Sequence, residues 1–508
     1  MSSGPLARTA RVLGSWSPQE RDAVLYAASA LFAITTAQAS SIALYQQWGQ
    51  LAVGPYVFGA IASWLAARRA GRLKQGAAIP GRPGATSPAQ DGAPGAAWHW
   101  TGPRAVIFLV VLLGATLLPL SLEVLWRTNT GGTAHVQPEV AVVEQAGHAI
   151  FRGHDQYRRI DPHAHVKPPP GQPAYDVYNP YLPLMGLFGG PSSTHASPRL
   201  TDARVGFSVF TIIVVVAALA LCRGPTGPRV LALQSMTVLP TAALPLATGG
   251  DDLPVAALML LALVLLQRRR PFMAGVSLGL AASMKITAWP LAILAFLAAR
   301  DRNGQQGRRP KLAVVAGIAG VMVPAVVPTA AANLSAFVDN VVRFPLGLSG
   351  VSSPAGSPLI GHVVVSLFPG IHRVFTVAIA AVGLLVVGYV LVRRPPRTPA
   401  SLSRLVAWVM TVAILLAPAT RVGYLLYPVD FFVWAWLLRG EEAVDPVSAH
   451  GDAAVARLAP RTDGGGVELD DPADGGDVDG GEGRESPDQG GVPRRRVPAA
   501  VGADPEPV

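Results

Sequence analysis

Long apolar runs separated by short polar or basic turns set the pattern of this chain. Such runs occupy residues 22–42, 51–67, 105–125, 205–221, 230–247, 253–266, 312–331, 374–392, 402–417 and 423–438. A helix of about 20 apolar residues crosses the hydrocarbon of a bilayer, so most of them are expected to be membrane segments. The run 272–297 differs from the rest because it is basic at both ends, with Arg268–Arg270 before it and Arg300, Arg302, Arg308, Arg309 and Lys311 after it. Basic clusters stay cytoplasmic, so both ends are expected on one side. A hairpin of two short helices that breaks near residues 285–290 satisfies this and puts Lys285 at its tip. Counted that way, the fold is an all-α polytopic membrane protein with about 12 membrane segments.

The clusters at Arg68–Lys74, Arg223–Arg229, Arg393–Arg397 and Arg439 agree with one orientation, with both termini cytoplasmic. Arg8, Arg11 and Arg21 precede a first run that lacks a convincing cleavage site, which reads as a retained span and not a removed signal peptide. The expected organisation is a cytoplasmic N-terminus at 1–21, an extra pair of spans at 22–74 and a Gly/Pro/Ala/Ser linker at 75–103. A membrane core follows at 104–439 with a large external loop at 126–202, then an acidic tail at 440–508.

Composition sharpens this picture. Half the residues are hydrophobic and only 14% are charged, with a mean hydropathy of +0.38, which suits a membrane protein and not an ordinary globular one. The net charge of +10 hides an asymmetry: 16 of the 31 acidic residues but only six of the 41 basic ones follow Gly440. The membrane part is therefore strongly basic. Its clusters read as orientation signals that meet membrane lipids, and no nucleic-acid partner is inferred. The single cysteine, Cys222, excludes an internal disulfide. No His/Cys spacing suits zinc, so no metal ligand is assigned and no cofactor is expected, a need for divalent metal being left open.

The candidate chemistry gathers on the expected outer face. Residues 139–153 form an amphipathic run suited to a short helix on the bilayer that ends at Gly153 and carries Glu139 at its start. Asp155, Tyr157, Asp161, Asp176, Asn179 and Tyr181 follow in a Pro-rich, aromatic stretch whose bland reading is a cap over helix ends. Asp251 and Asp252 lie in the turn Thr248-Gly-Gly-Asp-Asp252, which is either a solvated helix cap or a binder of a hydroxyl, a cation or a metal. Lys285 inside the membrane calls for a cavity, an acidic partner or a substrate, unless it snorkels. Arg343 and Arg421 complete the set as phosphate binders or as interfacial anchors. Acids and bases beside lipid suit attack by an acceptor hydroxyl with phosphate as the leaving group. No Gly-rich nucleotide loop is present, which favours a donor already attached to lipid.

The order of an apolar span, the acid-bearing run 139–153 with Tyr157, Asn179-Pro-Tyr-Leu-Pro183 and the run 274–290 around Lys285 resembles glycosyltransferase family 87. The resemblance is closest to the polyprenol-phosphate-mannose-dependent, actinobacterial members, once grouped as a domain of unknown function, and covers about residues 104–439. It implies a C-type glycosyltransferase fold and inverting transfer of a sugar, mannose being expected, from a polyprenyl-phosphate donor to a lipid or glycan acceptor outside the plasma membrane. The family's expected base is an Asp after the first core span. The matching position here is Glu139, one methylene longer, with Asp155 and Asp161 as alternatives. Asp251, Asp252, Lys285, Tyr181 and Asn179 are then substrate-binding candidates. The competing readings are a transporter or lipid flippase, which predicts matching inverted halves, and a catalytically inactive scaffold.

Overall fold

The computed structural model describes residues 16–77, 102–130, 135–157, 174–194, 196–346, 348–349, 351 and 355–441. Among the described residues the chain is helical, and its only extended pairing is a single parallel bridge between Gly356 and Thr420. Seven helices among the described residues are long and apolar enough to cross a membrane: Ala43–Ala70, Gly102–Thr130, Ala203–Leu221, Thr226–Thr248, Arg308–Ala332, Pro369–Arg393 and Pro399–Leu416. The segments Asp252–Gln267, Pro271–Ala282, Ile286–Ala298 and Val422–Leu437 are apolar but shorter. Pro18–Ala39 has 22 residues yet is not among the seven. Length and composition thus support seven spans, and an expectation of about twelve depends on these shorter or more polar helices as well.

Local signals start the helices where the apolar pattern asks for them. Ser17 and Glu20 form a capping box ahead of Pro18–Ala39, and Thr398 with Ser401 does the same for Pro399–Leu416. Pro271, Pro240 and Pro138 sit in the first turn of their helices, where a missing N–H costs nothing. The helix expected to end near residue 125 runs on to Thr130, so the loop begins later than the hydropathy boundary. Its interior widens into a π-turn at Leu113–Leu117, where Ala115 O accepts Trp48 Nε1 at 3.0 Å and Thr116 Oγ1 donates to Thr237 O at 2.8 Å.

Burial separates an interior from a lipid-facing shell. Asp252–Gln267 is buried along its whole length apart from the partly buried Leu261 and Leu265, as a helix apolar on all sides must be. Pro369–Arg393 has no buried residue in its apolar window, and Leu384 and Val392 are 75% and 81% exposed. So much apolar surface is stable only against lipid, and the protein is a membrane protein.

The parts that carry the polar residues pack by close backbone approach. Pro138–Phe151 lies on the 3-10 segment Pro183–Ser193, where a Cβ on Gly147 would stand 2.3 Å from Gly189 C. A Cβ on Gly189 would in turn meet Val143 O at 2.1 Å. Gly147→Ala is therefore expected to cost about 1–3 kcal/mol through overpacking. Gly54→Ala, where a Cβ meets nothing within 4 Å, should be neutral or slightly stabilising. Melting curves of the two variants in detergent test this; equal curves would sink the packing argument.

Candidate active site

A network of buried and half-buried ion pairs ties the polar segment to the membrane helices. Arg204 is fully buried; it donates from Nε and Nη2 to the two oxygens of Asp202 at 2.9 and 2.8 Å, and from Nη1 to His135 O at 2.6 Å. Arg127 grips both oxygens of Glu144 at 2.9 and 2.7 Å and reaches Asp202 Oδ2 at 2.8 Å. The two arginines hold the Asp202 carboxyl below its ordinary range, against burial, which acts to raise it. His135 Nδ1 lies 3.1 Å from Glu123 and 3.0 Å from Gln47. Gln137 bonds Thr248 through both backbone and side chain, at 3.0 and 2.7 Å. These contacts set the start of the Pro138–Phe151 helix, with Glu139 in its first turn.

The turn after Thr248 brings two carboxylates to the same place. Gly249 caps its helix at φ 109°, a left-handed conformation that glycine adopts without strain, and its N–H donates to Pro245 O at 2.8 Å. A Cβ at Gly249 would sit 2.3 Å from Val140 Cγ2, so the turn packs directly beside the residue that follows Glu139. Asp251 and Asp252 then enter the buried helix Asp252–Gln267 and are themselves buried.

Lys285 arrives from the opposite side. Pro271–Ala282 stops at Ser283, Lys285 is extended with φ −151° and ψ 141°, and a 3-10 turn at Ile286–Ala288 leads into Trp289–Leu294. Trp289 Nε1 donates to Ala282 O at 3.0 Å across the break. Leu182 N and Leu184 N donate to Met284 O and Ser283 O, each at 2.9 Å, which lays Tyr181–Leu184 along the tip. The base of the hairpin closes where Arg269 Nη1 meets Arg302 O at 3.4 Å.

The Lys285 Nζ lies between the two aspartates, 2.8 Å from Asp251 Oδ1 and 2.6 Å from Asp252 Oδ1. The rings of Tyr181 and Tyr424 flank it, with centroids 5.5 and 5.6 Å away. Tyr427 donates its hydroxyl to Asp252 Oδ1 at 2.8 Å and lies 2.7 Å from Thr287 Oγ1. Arg421, extended just before the 3-10 turn Val422–Leu425, pairs through Nη1 with Glu139 Oε1. Burial works against the Arg421 charge and the neighbouring Glu139 more than restores it, so the guanidinium stays above its ordinary range. Burial, with the charges of Asp252 and Glu139, raises the Asp251 carboxyl while Lys285 opposes them. Burial beside Asp251 and Glu139 likewise raises the Tyr181 hydroxyl. One oxygen of each acid, Glu139 Oε2 and Asp251 Oδ2, is buried without a hydrogen-bond partner among the described residues.

Of the residues expected at the site, Glu139, Arg421, Asp251, Asp252, Lys285 and Tyr181 thus form one cluster. Asn179 braces the loop that carries Tyr181 and ties it to a distant segment: its Oδ1 accepts from Tyr181 N at 3.2 Å and its backbone N–H donates to Asn340 Oδ1 at 2.7 Å. Asp155 is exposed and accepts from Tyr157 N at 2.9 Å. Arg343 pairs with Asp339 one helical turn away, with 58% of its side chain exposed. Asp161 lies outside the described residues. Tyr424, Tyr427 and Thr287 were not expected; the spacing of the two tyrosines at the start of an apolar run matches an interfacial aromatic belt equally well. Among the described residues no group of three or more His, Cys, Asp or Glu could hold a metal ion.

No curated protein and no solved structure matches the chain. Residues 181–418 match the model of glycosyltransferase family 87. This is narrower than the 104–439 expected; it takes in Tyr181, Asp251, Asp252, Lys285 and Arg343, and leaves Glu139 and Arg421 on either side. Residues 181–418, just under half of the chain, are thus similar to glycosyltransferase family 87, a likeness that indicates a glycosyltransferase working in a membrane.

Proposed function

We propose that this protein is a C-type membrane hexosyltransferase that moves a sugar, mannose in our reading, from a polyprenyl-phosphate donor to the hydroxyl of a lipid or glycan acceptor. The observation that carries this reading is the pair of buried, unpartnered carboxylate oxygens, Glu139 Oε2 and Asp251 Oδ2, set among cations. A buried acceptor without a donor is costly, and sugar and acceptor hydroxyls are donors of the right kind. The reaction needs a base for the attacking hydroxyl and positive charge for the departing phosphate, and Glu139 beside Arg421 supplies both.

The acceptor oxygen attacks the anomeric carbon and passes its proton to Glu139. The new glycosidic bond forms as the bond from that carbon to the phosphate oxygen breaks, and the phosphate leaves with the electron pair. Arg421 neutralises it, turning from Glu139 toward the phosphate when the donor binds and so freeing the carboxylate to act as base. Asp251 and Tyr181 orient hydroxyls of the sugar or the acceptor. Lys285 is pinned by two carboxylates and serves to hold the hairpin tip and Asp251 in place. Asn179 supports the loop that carries Tyr181, and Arg343 is assigned to donor approach. By the positive-inside rule, the basic base of the hairpin faces the cytoplasm, so the site at its tip opens outward from the plasma membrane and both termini lie inside.

Transfer from radiolabelled polyprenyl-phosphate mannose into lipid and glycan acceptors tests the reading. Glu139→Gln is expected to lower the rate about 10²–10⁴-fold at equal protein in the membrane, as loss of a general base does. Retained transfer would remove Glu139 as base and bring Asp155 and Asp161 forward; a wild type with no transfer beyond empty membranes would favour the scaffold reading, in which the Glu139–Arg421 pair is structural.

Lys285→Met leaves two carboxylates buried side by side without their cation, and should destabilise the protein by about 3–5 kcal/mol. Adding Asp252→Asn should recover much of that stability but not transfer. Detergent melting curves alongside the transfer assay check both, and a stable Lys285→Met variant would contradict the pinning role.

A further inference from the structure

At the end of the hairpin away from Lys285, Pro271–Ala282 and Arg308–Ala332 pack so closely that glycines are required. A Cβ on Gly275 would lie 2.2 Å from Val314 O, one on Gly317 would lie 2.4 Å from Phe272 O, and one on Gly279 would lie 2.9 Å from Ile318 O. The contacts advance together along both helices, so the two run parallel and begin at the same end. Their N-termini, with the partial positive charge of unpaired N–H groups, therefore open side by side.

A cavity of about 630 Å³ lies there. Arg269, Arg270, Arg302 and Arg309 line it against one acid, Asp301. That carboxylate is engaged in its own loop, accepting from Asn303 N at 2.9 Å and Gln305 N at 2.8 Å. Arg269 takes a left-handed φ of 57° that side chains other than glycine's disfavour, and its guanidinium lies over Gly304, where a Cβ would come within 3.0 Å of it. Arg270, Arg302 and Arg309 are exposed. Beside them, Phe272 and Met273 are 49% and 51% exposed on the same wall. Concentrated positive charge next to bare apolar side chains is the chemistry of a phosphate joined to an acyl chain.

We propose that this groove binds an anionic phospholipid of the leaflet it meets, with the headgroup phosphate on Arg270 and Arg309 at the paired helix N-termini and an acyl chain along Phe272 and Met273. The site lies at the opposite end of the hairpin from the Lys285 cluster and does not depend on the reaction assigned there. A bound lipid ties the starts of the two helices together and so braces the base of the hairpin whose tip carries Lys285.

Native mass spectrometry of the purified full chain tests this, with dioleoyl phosphatidylglycerol as probe and dioleoyl phosphatidylcholine and glycerol phosphate as comparisons. The expected result is selective retention of phosphatidylglycerol, weakened about tenfold in the double variant Arg270→Gln/Arg309→Gln and unchanged in Arg394→Gln, an exposed arginine that does not line the cavity. Unchanged retention in the double variant, an equal loss in Arg394→Gln, or displacement by equimolar glycerol phosphate would each overturn the proposal, the last by pointing to a soluble anion. If the double variant does not fold, a photoactivatable phosphatidylglycerol on the wild type decides the matter. Labelling at the peptide containing Phe272 and Met273 supports the site, and labelling confined to other segments overturns it.

Discussion

A charge buried beside lipid must be paired, and the Lys285 ammonium between Asp251 and Asp252 meets that demand for the whole polar centre. Each partner comes from a different part of the chain: the cation from the break in a helical hairpin, the acids from a glycine turn that leads into the most buried helix. Neither side is stable there without the other. An unpaired lysine would draw in water or lose its proton, and two adjacent carboxylates would repel. The pairing therefore fixes where the hairpin tip sits, and with it Tyr181, which is laid along the tip by backbone hydrogen bonds to Ser283 and Met284.

A second set of pairs does the same for Glu139. Arg204 and Arg127 bind Asp202 and Glu144, and through them hold the segment from His135 to Phe151 against the ends of two long helices. The Gly147 contact with Gly189 and the Val140 contact with Gly249 set the remaining freedom. Glu139 thus reaches the Lys285 cluster as part of a rigid surface. Its ion pair with Arg421 joins the last apolar segments to the same centre. Three acids and two cations come together there, an arrangement that leaves one oxygen of Glu139 and one of Asp251 buried without a hydrogen-bond partner among the described residues.

The two ends of the hairpin have opposite chemistry. The tip is enclosed, with its cation neutralised by acids, while the base is open, strongly positive and bordered by apolar side chains. Close packing at Gly275, Gly279 and Gly317 joins the first helix of the hairpin to Arg308–Ala332, so base and tip belong to one stiff unit.

The sequence by itself determined the helical membrane character, the break near Lys285 and the short helix from Pro138 to Phe151. Each rests on local physics: apolar length, charge at both ends of one run, and an amphipathic period ended by Gly153 at φ 71°. It also marked Glu139, Asp251, Asp252, Lys285 and Arg421 as residues to explain, since charges near lipid are costly wherever they fall. Only the tertiary structure decided that these five meet, that Tyr424 and Tyr427 join them, that Asn179 is bonded across to Asn340, and that Asp155 and Arg343 engage partners in their own segments. A contact such as Glu139 with Arg421 spans 282 positions. No periodicity carries information over that distance; the meeting is set by which helices pack, and packing depends on side-chain shape and on glycine placement summed over the whole core.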